Sequence, residues 1–461
     1  MQLQQIRRAL PRLTMPILSC AAALLGQNIS LAQVAPGTPV KLTLTQAIDL
    51  ALKQNRTLRL AHLAVSDSEY KKEIARSAYF PHIKNESSLL HVTELAGVEI
   101  PAGAFGVPKA TGAIPGASLF IGQGSATAYT SGTGLEQPLT QMFKIHESNR
   151  AATADINTAK IQVNQAEDEI ALKVRQLYYG LLIGQLRLQA AKEEISASQV
   201  KSEESSSAVT EGHALEVAAL ESRAAVLDAR QTALTQGLQI HDLTLALDDL
   251  LGLPFSSKLQ LDEAAPAAFL DIPTREECIH IAQAESPEIR TAQQAVIKAR
   301  AGLSAAKDAY IPDLTGLARY SYQSGVPLLV HNFGTFGFTL SYDLFDGGRR
   351  NAEINESRTL LSEAVLSLAK SEDELTVQVE TAYDKVEQLQ SMVEVAEEAL
   401  AVRTEAARLA DRQFEQSAVL ASAPAEATAK VAAAKASLLE ATLGLTLAQA
   451  ELKRTIGQIP R

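Results

Sequence analysis

Two periodicities alternate along the chain, and the whole alternation occurs twice. After Leu375 the apolar positions Val379, Ala382, Val386, Leu389, Val393, Ala396 and Leu400 follow at steps of four and three. Ile170, Val174, Leu177, Leu181, Gly184, Leu188, Ala191 and Ile195 show the same steps 205 residues earlier. Spacing that averages 3.5 residues over this length predicts helices packed as coiled coils. These helical stretches run over roughly 147–206 and 350–416, each followed by a shorter one over 213–251 and 424–456. Sixty helical residues at about 1.5 Å each form a rod near 90 Å long, so the chain does not fold into a ball. Between the helices the period falls to two. Phe336, Phe338, Leu340, Tyr342 and Leu344 alternate with small or polar residues, which predicts a strand with one apolar face. Companion strands are expected over Leu314–Tyr322, Ile83–Val92 and Ala126–Leu139. Each is about ten residues long, enough for a tilted strand to cross a bilayer.

The duplication is legible residue by residue. Shifting the chain by 231 places Thr43–Pro81 on Thr274–Pro312 without a gap, with Ala78-Tyr79-Phe80-Pro81 falling on Ala309-Tyr310-Ile311-Pro312. Farther along the shift is 205, which carries Leu135 onto Leu340, Tyr178 onto Tyr383 and Gly252 onto Gly457. The first copy therefore holds 26 extra residues between Pro81 and Leu135, and the Gly/Pro-rich stretch 97–134 is expected to be an inserted extracellular loop. Each copy opens with a helix whose start fits a capping box, Thr43-Leu44-Thr45-Gln46 and Thr274-Arg275-Glu276-Glu277, and whose end is set by Pro81 or Pro312. The expected units are 33–252 and 274–461, joined by a linker over 253–273.

Composition narrows the setting. With 46% apolar and 21% charged residues, no Trp and 5% aromatics, the chain is neither disordered nor a polytopic bundle of lipid-buried helices. Residues 1–32 read as a secretory signal: Arg7, Arg8 and Arg12 precede the apolar run Leu13–Gly26, and Ser30-Leu31-Ala32 offers a small-residue cleavage site. Ile17-Leu18-Ser19-Cys20 also has the form of a lipidation site. Removing 1–32 takes the net charge from −11 to −14, so the exported chain is acidic and no nucleic-acid partner is expected.

In this order the parts resemble the TolC family of outer-membrane efflux proteins over essentially the whole mature chain. The resemblance rests on the duplicated capped helix ending in Ala-Tyr-Phe/Ile-Pro and on the strand running into Leu344-Phe345-Asp346-Gly347-Gly348-Arg349-Arg350. The heptad helices and the closing Leu251-Gly252 and Ile456-Gly457 complete it. It implies a mainly α fold, internally duplicated, in which long antiparallel coiled-coil helices form a trimeric periplasmic α-barrel. Four strands per chain would complete one 12-stranded outer-membrane β-barrel. It also implies a homotrimer that acts as a passive exit duct, with outer-membrane lipid around the strands and a periplasmic adaptor and inner-membrane transporter as partners. No cofactor is implied.

The chain departs from the family pattern at two places. Gln137-Pro138-Leu139-Thr140-Gln141-Met142-Phe143 stands where the family shows an Asp-Gly-Gly turn. At the periplasmic tip the family's turns fall on Phe414-Glu415-Gln416-Ser417 and Val209-Thr210-Glu211-Gly212. Ala423 occupies a position where the family has an aspartate. By resemblance, Glu426 and Glu216 are the acidic residues of a periplasmic gate.

Two other classes fit the sequence less well. A periplasmic adaptor also carries coiled-coil hairpins, but one hairpin with flanking lipoyl-type β segments does not match two long helical segments per copy around membrane-length strands. An enzyme requires a nucleophile, a base and an orienting group that converge, and no such constellation is present. The eight histidines show neither HExxH nor a cysteine partner at zinc spacing, so no metal site is expected. Cys278 is read as a small core residue.

Overall fold

The computed structural model describes residues 40–93, 97–122, 126–255, 259–262, 272–325 and 330–458. The signal segment 1–32, with Cys20, lies outside the described residues. The first copy comprises β1 (Val40–Leu42), α1 (Leu44–Gln54), α2 (Arg56–Ser77), β2 (His82–His91), β3 (Gly97–Ile100), β4 (Leu119–Gly122), β5 (Thr127–Pro138), α3 (Met142–Thr210) and α4 (Glu216–Leu251). After β6 (Leu259–Leu261) the second copy follows: α5 (Arg275–Glu285), α6 (Pro287–Lys307), β7 (Asp313–Ser324), β8 (Asn332–Ser341), α7 (Arg349–Glu415) and α8 (Ser422–Thr455). Helices α1 and α5 are related by the 231-residue shift at both ends, and α3 and α7 end at positions 205 apart.

Both capping boxes form. Thr43 accepts from the Gln46 amide at 3.3 Å and Thr274 from that of Glu277 at 3.4 Å, and each third-position side chain reaches back to the cap amide. The opening helix of each copy is nevertheless two helices rather than one. Asn55 breaks the first by turning its carboxamide oxygen to the amides of Thr57 (2.8 Å) and Leu58 (3.3 Å), while its Nδ2 donates to the Leu250 carbonyl. In the second copy the break is Ser286, with Pro287 as the first residue of α6. The glycines that end α4 and close the second copy pack onto these breaks with left-handed backbone, φ 68° at Gly252 and 77° at Gly457. A Cβ at Gly457 would lie 2.8 Å from the Glu285 carbonyl, which leaves no room for a side chain.

The long helices form hairpins, α3 against α4 and α7 against α8, with α3 also packed on α8. The 69 residues of α3 extend about 100 Å. Heptad positions supply the buried seams, with Ile170, Val174, Leu177 and Leu181 in one cluster and Leu375, Val379, Val386 and Val393 in another. Gly184 permits close approach, since a Cβ there would meet Ile240 at 3.1 Å. Cys278 is wholly buried and burial pushes its thiol pKa up, as befits an inert core residue.

Three expectations require correction. The interval 253–273 contains β6, which pairs in parallel with β1. The Tyr178 hydroxyl ties this small sheet down by donating to the Asp262 carbonyl at 2.9 Å and accepting from its amide at 3.1 Å. The interval 97–134 is not one loop. Its first part folds as the β3–β4 hairpin, and from Thr127 it is β5, paired with β2 on one side and β7 on the other. That strand matches the one expected over Ala126–Leu139, so the loop ends before it, and glycines 132 and 134 lie in its middle. Finally, β8 ends at Ser341, so Tyr342 and Leu344 lie beyond it. The register would place Tyr342 opposite Pro312, which has no N–H to continue the ladder.

One core residue contradicts its surroundings. Asp248 of α4 is 0% exposed next to the buried Leu247 and Leu251, and neither carboxylate oxygen has a hydrogen-bond partner. Desolvation raises its pKa from 3.8 to about 6. The folded chain therefore binds more protons than the unfolded chain between these values, and stability falls as pH rises through that window. Asp248→Asn is expected to raise thermal stability above pH 6, by about 1–3 kcal/mol for relieving an unpaired buried charge. Melts at pH 7.5 and pH 4 check this: the gain should fade at the lower pH, and an equal gain at both would exclude the charge as its cause.

Candidate functional site: the sheet, its junctions and the helical tip

The strands β2, β5, β7 and β8 form one antiparallel sheet in that order, leaving the outer edges of β2 and β8 without partners among the described residues. Directly paired residues share a face, so the register gathers the largest apolar side chains of β8 on one face and all the Lys, Arg, Asp and Glu side chains of the sheet on the other. One face carries Ile83 and Leu89, Tyr129 and Leu135, Leu314, Ala318 and Tyr320, and Phe336, Phe338 and Leu340. Phe336 is 90% exposed there, and Phe338 and Leu340 are exposed beside it. Toward β2 this face also bears a hydrogen-bonded polar group, in which Asn85 donates to Thr133 at 2.8 Å and Ser87 lies 2.9 Å from Ser131. The opposite face carries Lys84, Glu86, Glu136, Asp313 and Arg319. Of the five aromatic and apolar positions expected on the lipid-facing strand, three lie on β8. Leu344 is exposed in the turn that follows, and the Tyr342 ring is half-covered by a cation.

That cation belongs to the junction leading into α7. Gly347 and Gly348 adopt φ of 67° and 87°, which lets Asp346 accept from the amides of Gly348 (3.0 Å) and Arg350 (3.2 Å) and from Arg350 Nε (2.7 Å). These donors hold the Asp346 carboxyl down at about 2. Arg350 also donates to the Asp343 carbonyl, and its guanidinium lies 4.6 Å from the Tyr342 ring centre and 5.5 Å from that of Tyr310. The first copy lacks this constellation and substitutes bonds to the second. Thr140 donates to the Pro312 carbonyl at 2.7 Å and accepts from the Leu314 amide at 2.8 Å.

At the far end of the rods the two tip turns are built alike. Gly212 and Ser417 occupy equivalent positions, and both are left-handed, with φ of 76° and 55°. In each turn the following amide bonds five residues back, His213 to the Ala208 carbonyl and Ala418 to that of Gln413, both at 2.8 Å. Val209 and Phe414 lie in the last helical turns before them. Ser417 is the only non-glycine residue with positive φ among those described. Glu216 stands in the first turn of α4, where the helix dipole favours an acid. Glu426 does not cap α8. Its carboxylate is 2.6 Å from Lys201 of α3 and 3.9 Å from Lys430, while the Ser422 amide at the start of α8 donates to Glu204 at 2.9 Å. Lys201 and Glu204 were not legible as site residues, because helix α3 reads as a solvated charged stretch there until α8 is packed beside it.

The described residues contain no cluster of three or more metal-ligating side chains. The profile of the outer membrane efflux protein family matches residues 47–253 and 278–458, which together are most of the chain. The chain belongs to the outer membrane efflux protein family. Solved structures of similar fold come from outer-membrane channels. The chain shares 17% identity with CusC at a TM-score of 0.71, covering 90% of this chain and 92% of that one. For CmeC of Campylobacter jejuni the values are 15% and 0.74, over 90% and 85%. For the open state of MtrE of Neisseria gonorrhoeae they are 18% and 0.64, over 90% and 89%. No curated protein matches in sequence. The family consists of channels of the outer membrane, and neither adaptors nor enzymes are among these relatives.

The duplicated turns of this efflux-family chain supply a direct test of local strain. A β-carbon in the left-handed region costs about 1 kcal/mol or slightly more. Ser417→Gly should therefore raise the melting temperature of the purified protein, and Gly212→Ser should lower it by a similar amount. Equal melting temperatures for all three would mean that neither turn is strained.

Proposed function

We propose that the chain is the outer-membrane exit duct of a tripartite efflux or secretion system. Three copies join their four-stranded sheets into one 12-stranded β-barrel, and their helices continue as an α-barrel through the periplasm. Cargo enters from an inner-membrane transporter through a periplasmic adaptor. The duct is passive, with energy supplied by the transporter and no catalytic step of its own. The observation that carries this reading is the sheet: it has one largely apolar and one charged face and, among the described residues, two free edges, and it runs directly into rods of about 100 Å. A free edge cannot stand in hydrocarbon, because unpaired backbone groups there find no water. Relatives described as outer-membrane channels support the same conclusion.

A heat-labile trimer in outer-membrane fractions, run boiled and unboiled on a gel, tests the assembly; a monomer in both lanes would sink it. The apolar face is assigned to lipid, so an arginine near mid-membrane should cost on the order of 2–4 kcal/mol on that face alone. Phe338→Arg is expected to deplete the trimer far more than Thr339→Arg, and equal depletion would mean that the facing is wrong.

The periplasmic end is assigned as the closing end, with Glu426 and Glu216 its acidic residues. Three-fold symmetry gathers three copies of each around one axis, and carboxylates there favour cations. The Lys201 ammonium beside Glu426 partly offsets this charge in each chain. In planar-bilayer recordings Glu426→Gln should lower cation selectivity and Lys201→Gln should raise it, with trimers intact. Unchanged selectivity in both would remove Glu426 from the gate.

A further inference from the structure

The charged face of the sheet is not uniformly charged. Lys84, Gly134, Arg319 and Thr335 lie opposite one another in a single row across all four strands. The next row outward is Glu86, Gly132, Ser321 and Phe333, and the next row toward the helices is His82, Glu136, Leu317 and Gly337. Beyond the Glu86 row, Ser88, Thr130 and Gln323 bring no charge. The remaining acid of this face, Asp313, lies at the helix junction, where Lys144 pairs with it at 3.4 Å. Charge on this face is thus concentrated in one belt of two cations and two carboxylates per chain, with His82 at its inner margin.

Within the belt Arg319 lies flat. A Cβ on Gly132 would be 2.5 Å from its Nη2 and 2.6 Å from its Nε, so the guanidinium rests directly on the glycine backbone. From there Nη1 reaches Glu86 on the far strand at 3.7 Å, and the other oxygen of Glu86 is 2.7 Å from Lys84. Arg319 crosses the whole width of β5 to make this contact, and a side chain at position 132 would push the guanidinium off that path. We propose that this belt is a charge-balanced ion filter inside the β-barrel, in which Gly132 and Glu86 are positioning residues that keep the Arg319 guanidinium on the wall and out of the passage. The proposal rests on the exit-duct reading, since it takes the charged face as the lumen. Three copies would then set six cations in one ring between two rings of three carboxylates. Balanced in this way the ring passes small ions of either sign, and releasing Arg319 converts it into a site for multivalent anions.

The test uses full-length trimers in planar bilayers, with citrate added on the β-barrel side so that it meets the belt before the helical end. Glu86→Gln, nearly isosteric, should shift the reversal potential in a KCl gradient toward anions and tighten citrate block by roughly threefold or more. Gly132→Val should lower conductance and tighten the block by lifting Arg319 into the lumen. Both effects should vanish when combined with Arg319→Gln. Wild-type behaviour in Glu86→Gln and Gly132→Val, or a Gly132→Val defect that persists in the Arg319→Gln background, would overturn the filter while leaving the duct intact. Wild-type protein that forms neither trimers nor channels would overturn the duct reading and this one with it.

Discussion

Backbone hydrogen bonding in hydrocarbon is the constraint on which the rest of this architecture depends. A strand that crosses a bilayer must pair on both sides, because no water is available to the groups left over. One chain supplies a sheet of four strands, and among the described residues the outer edges of β2 and β8 are open. The sheet is therefore complete only as a segment of something larger. Its two unlike faces fit the proposed barrel, whose wall would meet lipid on one side and water on the other. The hydrogen-bonded group of Asn85, Ser87, Ser131 and Thr133 satisfies this rule locally, since those polar side chains bond to one another on the face that carries Phe336, Phe338 and Leu340.

The helices extend the wall by different means. Coiled-coil packing has no edges to close, so each hairpin is held by its seam of heptad residues and by a few places where backbones come close. The two copies meet this requirement with equivalent pieces: a break at Asn55 or Ser286, and a left-handed glycine, Gly252 or Gly457, seated on it. Where the copies differ, the substitution is legible as chemistry. The second copy turns from strand to helix on two glycines and the Asp346–Arg350 pair, whereas the first turns on Thr140 bonded to backbone of the second. The junction of one copy is thus completed by the other, which ties the halves together at the membrane boundary.

Charge is distributed economically along the structure. The exposed cations and acids of the sheet and the tip are mostly engaged with one another, Lys84 and Arg319 with Glu86, Lys144 with Asp313, and Lys201 with Glu426. Exposed pairs of this kind contribute little to stability, typically below about 1 kcal/mol. Their weight in the proposed duct lies in which side chains they hold against its wall and which they leave free in the passage. Asp248 is the exception, a carboxylate buried without a partner in a helix whose duplicate carries Lys453 at the equivalent position.

The sequence by itself determined everything that depends on local periodicity. Heptad spacing identified the rods, the alternation through Phe336, Phe338 and Leu340 identified a one-sided strand, and gap-free self-alignment identified the duplication down to its capping boxes. The tertiary structure decided what depends on neighbours distant in the chain. Glycines 132 and 134 fell within a stretch expected as a strand, but only the pairing of β5 with strands on both sides, and the Arg319 side chain lying across it, show what the missing side chain makes room for. Tyr342 continued the alternation, but its ladder stopped because the residue opposite it is a proline. Glu426 was legible as an acid at the tip, yet its partner Lys201 lies 225 positions away and becomes adjacent only when α3 and α8 pack. Periodicity is a property of one segment, whereas register, ion pairing and strand termination are properties of two, and a single sequence specifies the second kind only once the chain has brought its segments together.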